Sequence, residues 1–322
     1  MKTLTKTLLG LGVAAFALSS VAAQAETKLT LAHVANTEDA VHRAAETFAK
    51  VAKEESGGEL NVRIFPNSQL GKGKEVLEGI QQGTISMAVD TLGRMSKFHP
   101  LAGIESMPYL FRDADHYFEI WNGTAGMEIK DMLAKEANFR VVGHMFRGTR
   151  ELTSNRKINS IDDLAGLKIR VTPIPERLET WKAFGASPTP MAWSEVFTSL
   201  QQGVIEAQEN PAPVIISQKL HEVQKYMILT SHMANGWTFV FNAQKFDAMP
   251  DNLKAAINSA ADAASKQFND EYKANREKVL AKIKDLGVEI VEIDQAPFRA
   301  KAKEVVAKFP KLEPWYTKMT SQ

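Results

Sequence analysis

From Pro250-Asp251 to Leu286 the chain carries an alanine- and lysine-rich stretch whose apolar residues recur at helical spacing, stopped by Gly287. Read as one continuous helix, its 36 residues extend about 54 Å at 1.5 Å per residue. That is longer than one α/β lobe, so the pattern predicts a helix lying across two. The alternative is a pair of helices with a kink near residues 263–267. A chain of 322 residues is long enough for two lobes with sizeable cores.

The order of the remaining elements agrees. Lys28-Leu-Thr-Leu-Ala-His33 alternates as a half-buried strand, and a helix over residues 40–54 follows, broken by Gly57-Gly58. Residues 59–66 form a second strand, residues 74–82 a short helix stopped by Gly83, and residues 84–89 a third strand. This β-α-β-α-β order implies a mostly parallel sheet covered by helices. His33 ends the first strand and Asp90 follows the third, both on the edge where parallel sheets collect ligands. An echo then points to a second lobe of similar build: Ile80-Gln-Gln-Gly83-Thr-Ile85 recurs as Leu200-Gln-Gln-Gly203-Val-Ile205. Each copy ends a helix and starts a strand, and each helix is preceded by a strand ending in proline, residues 59–66 and 167–173. Residues 139–146 read as the strand leaving the first lobe, with Arg147-Gly-Thr-Arg150 at its exit. Residues 227–230 and 237–242 are candidates for the return path.

Residues 1–25 have the layout of an export signal. Lys2 and Lys6 lead, an apolar run from Leu8 to Val21 follows, and Ala23-Gln-Ala25 supplies a small-residue cleavage pattern. The run is too short, and too broken by Ser19 and Ser20, for a membrane span. A periplasmic protein cleaved after Ala25 is expected. The chain contains no cysteine, which removes thiol nucleophiles, cysteine zinc sites, disulfides and a lipid anchor together. Of 39 basic and 38 acidic residues, Lys2 and Lys6 fall in the signal, leaving 37 against 38. So balanced a charge speaks against a nucleic-acid or anionic-membrane partner.

Binding chemistry concentrates between Arg150 and Asn210. Ser160 and Asp163 form a capping pattern, Gly166 stops the turn, and Leu167, Ile169 and Val171 alternate with Lys168 and Arg170 until Pro173 and Pro175. Arg170 therefore sits near a strand's C-terminal end. The segments Gly185-Ala-Ser-Pro-Thr-Pro190-Met-Ala-Trp193 and Leu200-Gln-Gln-Gly203-Val-Ile-Glu-Ala-Gln-Glu-Asn210-Pro211 complete the stretch. It resembles the solute-binding proteins of TRAP transporters (the DctP family) over essentially the whole mature chain. The resemblance implies a two-lobed α/β periplasmic-binding-protein fold, with a ligand cleft between lobes and a long bridging helix. It assigns the carboxylate clamp to Arg170 and places Arg150 and Asn210 in the ligand site. It also implies a TRAP permease, with small and large membrane subunits, as partner. The expected lobes are residues 26–147 with 236–275, and 148–235 with 276–322.

The residues suit such a role. An arginine fork grips a carboxylate through two parallel hydrogen bonds, and an asparagine offers a donor and an acceptor to a hydroxyl. Trp193 presents an apolar face either to a ligand or to the core, and His33 and Asp90 are candidates for ligand hydroxyls from the first lobe. Arg147 and Arg156 read as structural. No Gly-x-Ser-x-Gly, His-Glu-x-x-His or complete Gly-x-Gly-x-x-Gly occurs, and the seven histidines show no metal-ligand spacing. The expectation is thus a monomeric binding protein, not an enzyme, with no cofactor or metal and a small organic acid as ligand. A sugar acid such as a hexuronate or aldonate is preferred over a C4-dicarboxylate. Thr91 stands where the resemblance places an acid in sialic-acid binders, which argues against that ligand. A secreted cleft enzyme and a binding protein serving an ABC importer or sensor are the alternatives.

Overall fold

Two long strands carry the chain between its halves. The structure, a computed structural model, describes residues 26–322; the export signal read at residues 1–25 lies outside them. Its strands are β1 (Thr27–Ala32), β2 (Leu60–Phe65), β3 (Met87–Asp90), β4 (Phe139–Ser154), β5 (Lys168–Val171), β6 (Ser187–Pro190), β7 (Ala207–Pro211), β8 (Tyr226–Asn242) and β9 (Glu289–Val291). They form one sheet in the order β2-β1-β3-β8-β4-β7-β5-β6, with β9 against the first half of β8. The second half of β8 runs antiparallel to β3 in the first lobe, and the second half of β4 runs antiparallel to β7 in the second. The chain is thus an α/β protein of two lobes whose sheets are joined through the β4–β8 ladder.

Each lobe contains three parallel strands ordered with the first in the middle, β2-β1-β3 and β6-β5-β7. The Gln-Gln-Gly echo falls at equivalent places, since Gly83 and Gly203 adopt left-handed conformations with φ of 77° and 71° before β3 and β7. Only a residue without a Cβ takes that conformation without strain. One detail differs from the sequence reading: the counterpart of β2 is β6, not the strand over residues 167–173. Ser187-Pro-Thr-Pro190 conceals a strand because proline cannot donate to a ladder, and it is tolerated here because β6 is the sheet's outer edge.

The crossing strands also depart from expectation. Arg147 and Arg150 lie inside β4 rather than at its exit, and the two return segments merge into the single strand β8. Register shifts in the β4–β8 ladder fall between Val142 and Met145, Phe146 and Thr149, and Arg150 and Leu152. Gly148 sits in the second with φ 89°, where a Cβ would lie 2.8 Å from the Tyr272 hydroxyl. Bulges bend a strand and re-aim its side chains, so mid-strand arginines here do what a loop would do elsewhere.

The long helix is continuous from Asp251 to Asp285. Ala256, Ile257, Ala260, Ala264 and Phe268 bury their side chains in the first-lobe core with Phe48 and Phe239, whereas Ile283 enters the second-lobe core with Ile215 and Met227. It bridges both lobes without a kink. The C-terminal segment does not stay in the second lobe as expected. Phe298 packs beneath β5, but Val305, Val306, Leu312 and Met319 join the first-lobe core with Tyr117 and Trp121. Tyr316 donates to the Pro108 carbonyl at 3.0 Å, and His116 Nε2 lies 2.9 Å from the Met319 carbonyl oxygen. Among the described residues no helix is long and apolar enough to cross a membrane.

Candidate functional site

Segments from both lobes converge on a small cavity, to which the turns after β1 and β3, the bulged part of β4, the ends of β5 and β7, and β8 all contribute. The lobes are closed over it. Asn36 donates to the Ser217 carbonyl at 2.7 Å, the Ser217 hydroxyl donates to Asp39 at 3.1 Å, and Lys72 pairs with Glu195. A larger cavity lies under the long helix, lined by Phe268, Tyr272, Val279 and Leu280, and shares Arg147 and Trp237 with the first. The guanidinium groups of Arg94, Arg150, Arg170 and Arg177 line only the smaller one, which is therefore the candidate site.

Arg170, at the end of β5, is 2% exposed. Its Nε and Nη2 donate to the Met191 carbonyl at 3.0 and 2.8 Å, and the guanidinium lies over the Trp193 ring, 5.3 Å from its centroid. One edge of the fork is anchored, leaving Nη1 and the second Nη2 proton as an end-on pair for a carboxylate. Burial, with crowding by Arg150, Arg94 and Arg177, pulls its pKa down to about 9 against the attraction of Glu209. A bound anion relieves that cost. Trp193 is half-buried, packing on the second-lobe core on one side and lining the cavity on the other.

Arg150 is held by a residue that the sequence did not single out. Glu209 accepts from Arg150 Nε and, at 3.0 Å, from Nη2, which also meets the Asn210 Oδ1 at 2.9 Å. His232 Nε2 lies 3.3 Å from the same carboxylate, and Arg177 Nη1 lies 3.7 Å away. Burial alone would raise the Glu209 pKa, but Arg150, the His232 hydrogen bond and Arg177 outweigh it and hold the carboxyl well below the usual range. Asn210 passes the network on, its Nδ2 donating to Gln208 at 2.7 Å and Gln208 to Thr153 at 2.8 Å. Arg150 thus offers the cavity Nη1 rather than a whole fork.

Three further arginines line the cavity: Arg94, Arg147 and Arg177. Arg147, read above as structural, stacks on Trp237 at 4.0 Å. Arg177 was not legible, because a helix opening Pro-Glu-Arg gives no sign of which face is buried. Five polar atoms of lining residues are buried without a partner among the described residues: Arg150 Nη1, Arg177 Nε and Nη2, Thr91 Oγ1 and Gln218 Nε2. Buried donors and acceptors are rarely left so, and their gathering on one cavity marks it as built for a polar anion.

His33 and Asp90 do not line the cavity. His33 is buried with Nε2 3.0 Å from His42 Nδ1, and burial, then His42, lowers its pKa to about 4. The neighbouring Val34 and Ala35 face the cavity instead. Asp90 accepts from Arg94 Nε at 2.7 Å and from the Thr91 backbone at 2.8 Å. It holds Arg94 in place, four residues on, and Thr91 takes the lining position. Strand-end position brought both residues near the site, but alternation turned their side chains away from it.

Two lobes closed on an arginine-lined cavity, with one helix across both, define an extracytoplasmic solute-binding protein of the periplasmic type. Residues 31–312 match the family described as bacterial extracellular solute-binding protein, family 7 (DctP), and the chain belongs to this family of TRAP solute-binding proteins. A solute-binding protein of Roseobacter denitrificans is 37% identical over 295 residues, covering 91% of this chain and 90% of its own. The crystal structure of that protein with bound L-galactonate superposes with a TM-score of 0.87 at 34% identity, covering 92% of this chain and 99% of that one. A second TRAP solute-binding protein from the same organism, with bound β-D-glucuronate, gives 0.88 at 25% identity, covering 92% and 100%.

Proposed function

We propose that this chain captures a small polyhydroxylated carboxylate, a sugar acid of the hexuronate or aldonate class, in the periplasm and delivers it unchanged, as a monomer, to the membrane subunits of a TRAP permease. The observation that carries this reading is the set of unpartnered buried donors and acceptors on a cavity whose one anchored arginine fork faces inward. Arg170 holds the carboxylate end-on over Trp193. Arg150 Nη1, Asn210, Thr91 and Gln218 serve the remaining oxygens. The sugar acids bound to the two Roseobacter proteins support the class. Ligand contact with Thr91 and Arg94 from one lobe and with Arg170 and Asn210 from the other stabilises the closed form, because only differential contacts shift such an equilibrium.

The test is a melting and calorimetric screen of the mature protein against hexuronates, aldonates, neutral sugars and amino acids. At about a hundred times its Kd the cognate acid adds about 2.7 kcal/mol of stability, and neutral sugars add none. A neutral sugar or amino acid that binds while every acid fails would overturn the reading. Export is checked separately: intact mass of the periplasmic protein should begin at Glu26, and a retained Met1 in that fraction would refute cleavage after Ala25.

A further inference from the structure

We infer that Arg177 is a second arginine on the ligand's carboxylate, gripping it side-on through Nε and Nη2 while Arg170 meets it end-on. The inference rests on the carboxylate reading above and adds to it a contact residue that distinguishes an acid from its uncharged isostere.

A guanidinium offers an acid two parallel N–H pairs, the side edge of Nε with Nη2 and the end edge of Nη1 with Nη2. The side edges on this cavity are mostly spent on the protein itself. Arg170 gives its own to the Met191 carbonyl, and Arg150 gives its own to Glu209. Arg94 commits Nε to Asp90. Arg147 lays its face on Trp237 and borders the larger cavity as well as the smaller. Arg177 differs from all four. It lines the smaller cavity alone, is 2% exposed, and keeps Nε and Nη2 buried without a partner among the described residues. Among those residues Glu209, 3.7 Å from Nη1, is the one carboxylate within 4 Å of it, and Arg150 already holds that group. Glu105 spends its oxygens on the backbone N–H groups of Gly93 and Gly236. A buried arginine edge with neither acid nor carbonyl against it is costly, and a ligand carboxylate has the shape that fills it.

One carboxylate can meet both arginines. Arg170 lies near the end of β5, and Arg177 lies in the first turn of the helix Pro175–Ala183 that follows it. Arg177 Nη1 turns back and donates to the Thr172 hydroxyl oxygen at 3.3 Å, two residues past Arg170. The two guanidinium groups therefore sit over the same strand end, close enough that Arg177 helps depress the Arg170 pKa. Arg170 end-on and Arg177 side-on bring four N–H donors to two carboxylate oxygens. The anion also relieves burial and the crowding by Arg150, which pull the Arg177 pKa down to about 9 against the attraction of Glu209 and Glu105. First-lobe packing steadies the helix turn from the far side: a Cβ on Gly93 would touch Ile174, and one on Gly103 would overlap the Glu176 carboxylate. Ile174 and Glu176 flank Arg177 in sequence, so the closed first lobe holds its side edge in place.

Acids titrated calorimetrically beside their own primary amides test this: D-glucuronate against D-glucuronamide, and L-galactonate against L-galactonamide. The amide keeps every hydroxyl and removes the charge and one acceptor. In a pair that binds, the wild type should prefer the acid at least about thirtyfold. Arg177→Met should weaken the acid about tenfold or more and shift the amide less than about threefold, with melting curves recorded to confirm folding. Arg177→Lys keeps the charge but has no side edge, and should still bind the acid about fivefold or more weakly than the wild type. Should the methionine variant fail to fold, the lysine variant decides. An acid preference undiminished in the folded variants, or acid and amide weakened equally, removes Arg177 from the carboxylate and leaves that group on Arg170. An amide that binds the wild type as tightly as its acid overturns the carboxylate reading itself, and failure of both pairs overturns the hexuronate-or-aldonate class.

Discussion

Arg170→Ala is expected to cost at least about 2 kcal/mol of ligand affinity, roughly thirtyfold, while leaving the fold in place. The fork is already fixed before ligand arrives, through the Met191 carbonyl and the Trp193 ring, so little conformational entropy is lost on binding. Truncation removes the anchored pair of donors and leaves a carboxylate buried without its counter-charge. Lysine should restore only part of the loss, since an ammonium cannot bond Met191 and present a planar pair at once. Stability should change little, because Ile169 and Val171, the residues of β5 that enter the second-lobe core, are untouched. Titration of both variants with whichever acid binds the wild type decides the matter. Wild-type affinity in the alanine variant would remove Arg170 from the site.

The sequence disclosed the parts of this protein whose signals are local. A helix longer than one lobe, a repeated Gln-Gly turn before equivalent strands, and alternation ending in proline at Arg170 depend on neighbours within a few residues. The second parallel unit was misaligned by one strand because Pro188 and Pro190 hide β6. The site was half legible for the same reason. Arg170, Arg150 and Asn210, which the resemblance singled out, and Trp193 come together on one cavity, but His33 and Asp90 turn away. Arg94, Arg147 and Arg177 enter the site through bulges and a helix face, and Glu209 through its neighbour in the Gln208-Glu209-Asn210 run. Sheet register and bulge position decide which of three adjacent polar residues faces a cavity, and no short pattern encodes either. One signal was available: Arg147, directly after the apolar Met145-Phe146 of a predicted strand, and Glu209, beside Asn210 at the end of another, are costly to bury singly.

Glu209→Gln should destabilise the protein by about 3–5 kcal/mol, a fall in melting temperature on the order of 10 °C. Glu209 is fully buried and meets Arg150, His232 and Arg177 at once. An amide of the same shape removes the charge and turns an NH2 donor toward guanidinium donors, leaving Arg150 buried without a counter-ion. The pH dependence fixes the sign. The folded carboxyl ionises well below the usual range, so its stabilisation is complete above the ordinary glutamate pKa of about 4.3 and is lost as pH falls below it. The wild type should therefore lose stability steeply on acidification, and the glutamine variant, already deprived of the charge, should show a flatter acid limb. Adding Arg150→Met to Glu209→Gln should cost less than the two changes summed, since the second substitution removes the charge that the first left stranded. If instead the single glutamine variant melts within a degree or so of the wild type at neutral pH, Glu209 is not the centre that keeps the arginines in place, and their arrangement must then depend on the β4 bulges alone.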